Sequence, residues 1–222
     1  MILRVFIVVV STIGFGIHCL LGAQLILFDF DGAAGNETSF GAVSQPTNGT
    51  VSEITRGSGI IASPASGTFS ARSWSSESID LDDYFSFSIE PDPGFQLNLS
   101  SLELDERRSA TGIRNWSVRS SLDEFAFDLS PSPFSVPDNT ETRLDQEISF
   151  SVTDFSELTD RVEFRIYGYM AEANSGTWRI DNVELFGDVV AVPEPAGWFV
   201  VGSSVLMGWV INRHRRRRAD SE

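Results

Sequence analysis

Phe85-Ser86-Phe87-Ser88-Ile89-Glu90, then Pro91-Asp92-Pro93-Gly94, then Phe95-Gln96-Leu97-Asn98-Leu99 is the stretch that decides the fold class. Apolar and polar residues alternate on either side of a Pro/Asp/Gly interruption. Successive side chains of a strand point to opposite faces, so Phe85, Phe87 and Ile89 form one buried face, and Phe95, Leu97 and Leu99 another. Proline and glycine between the two runs supply a turn rather than a continuation.

The same period recurs at Leu102 and Leu104, at Trp116 and Val118, and at Phe125, Phe127 and Leu129. It returns at Ile148, Phe150 and Val152, at Val162, Phe164 and Ile166, and at Trp178, Ile180, Val183 and Leu185. Pro131-Ser132-Pro133 marks a further loop, and only Asp154 to Leu158 suggests a helical turn. Many short half-apolar strands without a long helical period predict an all-β, antiparallel two-sheet sandwich of the jelly-roll kind. With 17 Phe and 5 Trp, the chain has the side chains for a packed core rather than a disordered linker.

The 222 residues carry a formal net charge of −15, with two His, one Cys and sixteen basic residues that are all Arg. His18, Cys19 and His214 fall in the terminal segments, so residues 24–190 contain no Lys, His or Cys. In that span this excludes a disulfide framework, a Cys/His zinc site, a Cys or Lys nucleophile and a Ser-His-Asp triad. The span holds 28 Asp and Glu against 10 Arg, a net charge of −18. Without a cluster of cations to displace phosphate counterions, nucleic acid is not an expected partner. The acidity is read as solubility through net charge.

Residues 1–23 open with one cation, Arg4, run apolar from Val5 to Ile17 and end in Leu21-Gly22-Ala23. This is the layout of a secretory signal peptide, with cleavage expected after Ala23. Near the other end, Val192-Pro193-Glu194-Pro195 precedes sixteen apolar or small residues, Ala196 to Ile211. A basic tail follows at residues 212–218, with Arg213, Arg215, Arg216, Arg217 and Arg218. As a helix, residues 196–211 span roughly 24 Å, slightly less than a bilayer core. Trp198 and Trp209 sit where interfacial aromatics belong, Arg213 can snorkel, and the arginine cluster stays cytoplasmic. Residues 24–190 are therefore expected to be one extracytoplasmic domain between a signal peptide and a single transmembrane helix.

A Pro-Glu-Pro tripeptide, a short apolar helix and an Arg-rich tail, in that order over residues 192–218, resemble the PEP-CTERM sorting signal of Gram-negative bacteria. The same segment is also known as an ice-binding-protein C-terminal domain. The resemblance implies an exosortase as partner, a membrane transpeptidase that cuts near the tripeptide. The body would then pass from the inner membrane to the cell surface or extracellular matrix. The two prolines keep Glu194 extended and outside the helix, so a protease can bind the backbone there. Glu106-Arg107-Arg108-Ser109 through Arg119-Ser120-Ser121, and Gly176-Thr177-Trp178-Arg179-Ile180-Asp181-Asn182-Val183, resemble segments recurring in exported PEP-CTERM proteins. The second also resembles the closing strand of carbohydrate-binding jelly rolls.

Catalysis in residues 24–190 would have to come from carboxylates, Ser, Tyr or Arg. A carboxylate pair is the glycosidase apparatus, yet no spacing marks two of the acids as convergent, so no catalytic residue is assigned. No cofactor is implied beyond a candidate structural calcium. Asp29 and Asp31 at the first strand, with Asp181 and Asn182 in the last, would bring hard oxygens together if those strands are neighbours. Asp80, Asp82 and Asp83 form a second acidic cluster. Sugar stacking needs exposed rings. Among Trp74, Trp116, Trp178, Tyr84, Tyr167 and Tyr169, the last two are the candidates, because they share parity with Glu163 and Arg165. Trp116 and Trp178 share parity with core residues. The expected protein is a non-catalytic structural or adhesive sandwich in an extracellular polysaccharide layer. A carbohydrate-binding module with a defined ligand and a carboxylate-based glycoside hydrolase are the alternatives.

Overall fold

A computed structural model describes residues 22–130 and 133–193 of the chain. Glu194, Pro195, the apolar segment and the basic tail lie outside the described residues, as do residues 1–21. Among the described residues no helix is long and apolar enough to cross a membrane.

In chain order the strands are β1 (Ala23–Phe28), β2 (Ser39–Phe40), β3 (Gly49–Val51), β4 (Ile54–Arg56), β5 (Ile61–Ala62) and β6 (Phe69–Arg72). They continue with β7 (Tyr84–Pro91), β8 (Phe95–Arg108), β9 (Asn115–Ser120), β10 (Phe134–Ser135), β11 (Arg143–Ser149), β12 (Val162–Tyr169) and β13 (Thr177–Ala191). The first sheet runs β11-β8-β13-β6-β5, with β1 also pairing β13. The second runs β10-β9-β12-β7-β4-β2, with β3 also pairing β7. The ladders are antiparallel, as the alternating sequence and short turns require.

The alternation maps directly onto burial. Phe85, Phe87 and Ile89 of β7 face inward, as do Val162, Phe164 and Ile166 of β12. β8 is longer than its sequence suggests, a single strand of 14 residues. Its register shifts opposite Phe186 and Gly187, and this changes the parity between Leu97-Leu99 and Leu102-Leu104, so that all four leucines face the core. Between the sheets lies an aromatic cluster. Trp178 meets Trp74 at 5.3 Å, Phe85 at 5.6 Å and Trp116 at 6.0 Å between ring centroids. Phe150 stacks on Phe164 at 5.4 Å. Each such ring removes enough apolar surface from water to contribute roughly 1.5–3 kcal/mol.

One expected strand is absent, and another ends early. Phe125, Phe127 and Leu129 alternate but belong to a loop that follows a 3-10 turn at Ser121–Asp123. Glu124 and Phe125 both adopt left-handed backbone, at φ 59° and 62°, which folds the chain back on itself. Phe127 ends up 74% exposed and Leu129 packs against the core. Val152 lies past the end of β11 and is 80% exposed, while residues around Asp154 form turns rather than a helix.

Candidate functional site

The two internal segments singled out above are hydrogen-bonded neighbours. In the β8–β13 ladder Arg108 faces Trp178, Arg107 faces Arg179, Glu106 faces Ile180 and Asp105 faces Asp181. Alternation sends Glu106, Arg108, Trp178 and Ile180 into the sandwich and leaves two like-charged cross-strand pairs outside, Arg107/Arg179 and Asp105/Asp181. Around these pairs the sheet surface forms an open concavity of about 230 Å³. Ser66, Gly67 and Thr68, in the loop before β6, and Thr142, just before β11, form its rims.

Asp105 holds the floor in shape. Each neighbouring strand carries one extra residue beside it. In β13 the register slips between Asp181 and Glu184, where Asn182 has φ 43°. In β11 it slips between Arg143 and Gln146, where Asp145 has φ 55°. Asn and Asp tolerate this left-handed geometry better than most residues, which suits them to bulges. The Asp145 backbone N–H donates to Asp105 Oδ1 at 2.9 Å, and Asn182 Nδ2 donates to Asp105 Oδ2 at 2.9 Å. Both oxygens of this buried carboxylate are thus engaged in pinning two bulges.

The arginines are differently placed. Arg107 Nε donates to the Thr140 carbonyl at 2.6 Å, which fixes its guanidinium plane. Arg179 Nε is shielded from solvent and has no hydrogen-bond partner among the described residues. Burial, reinforced by Arg107 opposite, lowers the Arg179 pKa. Burial also raises the pKa of Asp181; the Asn182 N–H at 2.8 Å opposes this, and the charges of Asp105, Asp31 and Asp29 add to it.

No protein-family model matches the chain. No curated protein matches it either. Solved structures do resemble it. TmCBM61 in complex with β-1,4-galactotriose is 16% identical, with 72% of this chain and 99% of that one covered at a TM-score of 0.30. The K3 cleaved adhesin domain of Lys-gingipain from Porphyromonas gingivalis W83 is 14% identical, covering 74% and 99% at a TM-score of 0.37. CtCBM11 is 19% identical, covering 77% and 98% at a TM-score of 0.30. Likenesses this distant carry no argument, and function has to be read from this chain's own side chains.

The residues expected from sequence to form sites are placed as follows. β1 and β13 are neighbours, with Phe28 opposite Val183, so Asp29 and Asp31 do approach Asp181. Asp29 Oδ1 accepts the Asp31 N–H at 3.1 Å, and the Asn182 amide nitrogen donates to Asp105. Among the described residues no group of three or more His, Cys, Asp or Glu is arranged to hold a metal ion. In the second acidic cluster, Asp80 Oδ1 accepts the Asp82 N–H at 3.0 Å and Asp83 Oδ2 accepts the Ser75 N–H at 2.7 Å.

Tyr167 and Tyr169 lie on the outward parity of β12, but the expectation that this face is open to solvent is corrected: they are 0% and 8% exposed. The back-folded loop after β9 is the reason. Arg119 reaches over the Tyr167 ring at 5.6 Å and is tied to Asp128 of that loop at 2.7 Å. Arg165 stacks over Phe125 at 3.8 Å and Tyr84 at 4.5 Å. The Tyr169 hydroxyl lies 3.4 Å from Ser117 Oγ, itself 3.1 Å from Asp128. Both rings are built into the wall and offer no face for stacking. Trp116 and Trp178 are buried, in keeping with their parity. Of the sorting motif, Val192 and Pro193 are described and exposed, and Val192 N–H donates to the Gly94 carbonyl at 2.9 Å.

Sequence reasoning missed an ionic network inside the sandwich. Trp178 Nε1 donates to Glu106 Oε2 at 2.6 Å, and Arg143 pairs with the other Glu106 oxygen. Arg108, 1% exposed, pairs with Glu172 at 3.0 Å and Asp138 at 3.2 Å. It also donates to the carbonyls of Ala110 at 2.9 Å, Gly112 at 3.2 Å and Pro137 at 3.5 Å. The available signal was Glu106 and Arg108 sharing the inward parity of Leu102 and Leu104.

Proposed function

We propose that this chain is an exported bacterial protein whose β-sandwich is a non-catalytic, polysaccharide-binding module. A single observation carries the binding reading: an open concavity on a sheet face, floored by paired arginines and an incompletely used Asp181 carboxylate, rimmed by Ser66, Thr68 and Thr142. Fixed planar donors and acceptors on rigid strands are what polyhydroxylated ligands need. The non-catalytic reading is supported by Asp105, whose two oxygens are committed to the bulges. The Asp105/Asp181 pair therefore lacks the two free carboxyl groups that glycoside hydrolysis requires.

The sandwich is of the jelly-roll kind and is delivered by the ends of the chain. Residues 1–23 act as signal peptide, and residues 196–211 as a transient inner-membrane anchor. An exosortase cuts at Val192-Pro193-Glu194-Pro195 and releases the body to the surface or matrix of a Gram-negative cell. Cell fractionation with mass spectrometry of the mature termini tests delivery. The surface form should begin at Gln24 and lack Arg213 to Arg218; a surface form that keeps the basic tail overturns it. Affinity electrophoresis through gels loaded with neutral and acidic polysaccharides tests binding. Retardation is expected in at least one, and unretarded migration in all of them overturns the module reading.

A further inference from the structure

We propose that the concavity selects hexuronate units of an acidic polysaccharide, seating the sugar carboxylate on Arg107 and Arg179 and ring hydroxyls on Asp181. This rests on the polysaccharide-binding reading and narrows it to one ligand class.

Two like charges directly opposite on neighbouring strands repel, yet the ladder sets Arg107 against Arg179. The domain around them has a carboxylate surplus, with 28 acids to 10 arginines over residues 24–190. Even so, among the described residues neither guanidinium has a carboxylate within the 4.0 Å that defines an ion pair. Arg107 is oriented through its Nε by the Thr140 carbonyl, which leaves its terminal amines to point elsewhere. Arg179 has a shielded Nε without a partner. Two adjacent guanidiniums held this way fit a carboxylate bound through several charge-assisted hydrogen bonds, and such an anion would also relieve their mutual repulsion.

The second charge pair decides which anion. Asp105 and Asp181 lie two residues further along the same face, about 6.6 Å away at the strand rise. A sugar unit with further anionic groups across its ring, such as a polysulfated one, is repelled there. A hexuronate carries one negative charge at C6 and only hydroxyls across the ring, so its polarity matches a cationic pair followed by carboxylate acceptors at roughly one pyranose length. Asp105 is fully used by the bulges, so Asp181 supplies the acceptor. Its Oδ1 takes the Asn182 N–H, and the other oxygen has no protein donor among the described residues. The Ser66 and Thr68 side of the rim stands over this end. A volume of about 230 Å³ suits one such unit, and the open top lets the polymer run past.

The test is isothermal titration of the purified full-length chain in mild detergent with trimers of galacturonate, mannuronate and guluronate. The fully methyl-esterified galacturonate trimer and galactotriose serve as uncharged counterparts. At least one uronate trimer should bind, with affinity falling as salt rises. The galacturonate methyl ester should bind at least about tenfold more weakly than the best uronate trimer, a difference of about 1.4 kcal/mol. Arg179→Gln and Arg107→Gln should each weaken uronate binding by about tenfold or more and remove the preference over the ester. Arg107 is exposed, so its replacement keeps the fold and carries the test even if the Arg179 variant unfolds. Equal affinity for acid and ester, or uronate binding unchanged in the Arg107 variant, overturns the hexuronate assignment. Binding of galactotriose alone, weakened by either substitution, overturns it while leaving the polysaccharide-binding reading standing. No binding by any of the five sugars, together with unretarded migration in every polysaccharide gel, defeats both.

Discussion

Asp83 offers the sharpest test of how the fold handles its surplus of acid. It stands at the entry to β7, 4% exposed, with Oδ2 accepting the Ser75 N–H. Burial raises its pKa from 3.8 to about 6; the Ser75 N–H works against this, and the charges of Asp80 and Asp82 add to it. The folded protein therefore holds this proton more tightly than the unfolded chain does. The resulting stabilisation is complete below about pH 3.8 and is lost as pH rises through about 6. The difference between the two states corresponds to about 3 kcal/mol. Asp83→Asn keeps an oxygen for Ser75 and never ionises. Its stability relative to wild type should be near zero at pH 3.5 to 4. The advantage should climb through pH 5 to 6 and level off at up to about 3 kcal/mol near pH 7.5, or roughly 6–12 °C in Tm. Urea titrations followed by tryptophan fluorescence at half-unit pH steps measure this, and subtracting the two proteins at each pH removes the contribution of carboxylates that do not interact with Asp83. An advantage that does not vary with pH, or a variant less stable than wild type at pH 7.5, refutes the assignment.

Gly168 faces the core, where an added Cβ would lie 2.9 Å from the Trp74 ring and 3.1 Å from the Trp178 ring. Gly168→Ala should cost roughly 1–3 kcal/mol of unfolding free energy, read from denaturant titration, as the two indoles are pushed apart. Asp105→Ala removes the acceptor that holds both bulges. A loss of about 3 kcal/mol is expected, with faster hydrogen exchange at the Asp145 amide than at amides of β12. Glu106→Gln strands Arg143 beside a buried neutral group, and breaking such a pair should lower stability by about 3–5 kcal/mol. The Trp178 N–H would still find an oxygen, so near-UV circular dichroism of the folded variant should keep the wild-type form.

The sandwich was legible because its strands obey a local rule. Phe85 to Leu99 alternates, turns and alternates again, and burial follows the same parity. Where a rule is local but its opposite is also local, the reading failed. Phe125, Phe127 and Leu129 alternate like a strand, yet two consecutive left-handed residues bend the segment over β12. That one bend hides Tyr167 and Tyr169, whose outward parity was read correctly. The arginine pair was out of reach for a different reason. Arg107 and Arg179 meet only through the register of two distant strands, and that register depends on the bulge at Asn182. A single residue's slip would set different side chains opposite one another. The buried Glu106 and Arg108 were visible as charged residues on an apolar parity, but their partners Arg143, Asp138 and Glu172 come from loops and edges that no periodicity marks.

β13 carries the concavity near its start, at Arg179 and Asp181, and leads out of the sandwich at Ala191, beside the first residues of β8. Ten residues of strand separate the two points, about 33 Å. A force applied between the concavity and the chain leaving at Val192 therefore runs along the length of β13 rather than across it. The long ladder with β8 is loaded in shear, with its hydrogen bonds resisting together instead of opening one after another. The strand that shapes the concavity is thus also the one through which any pull on the chain at Val192 reaches it.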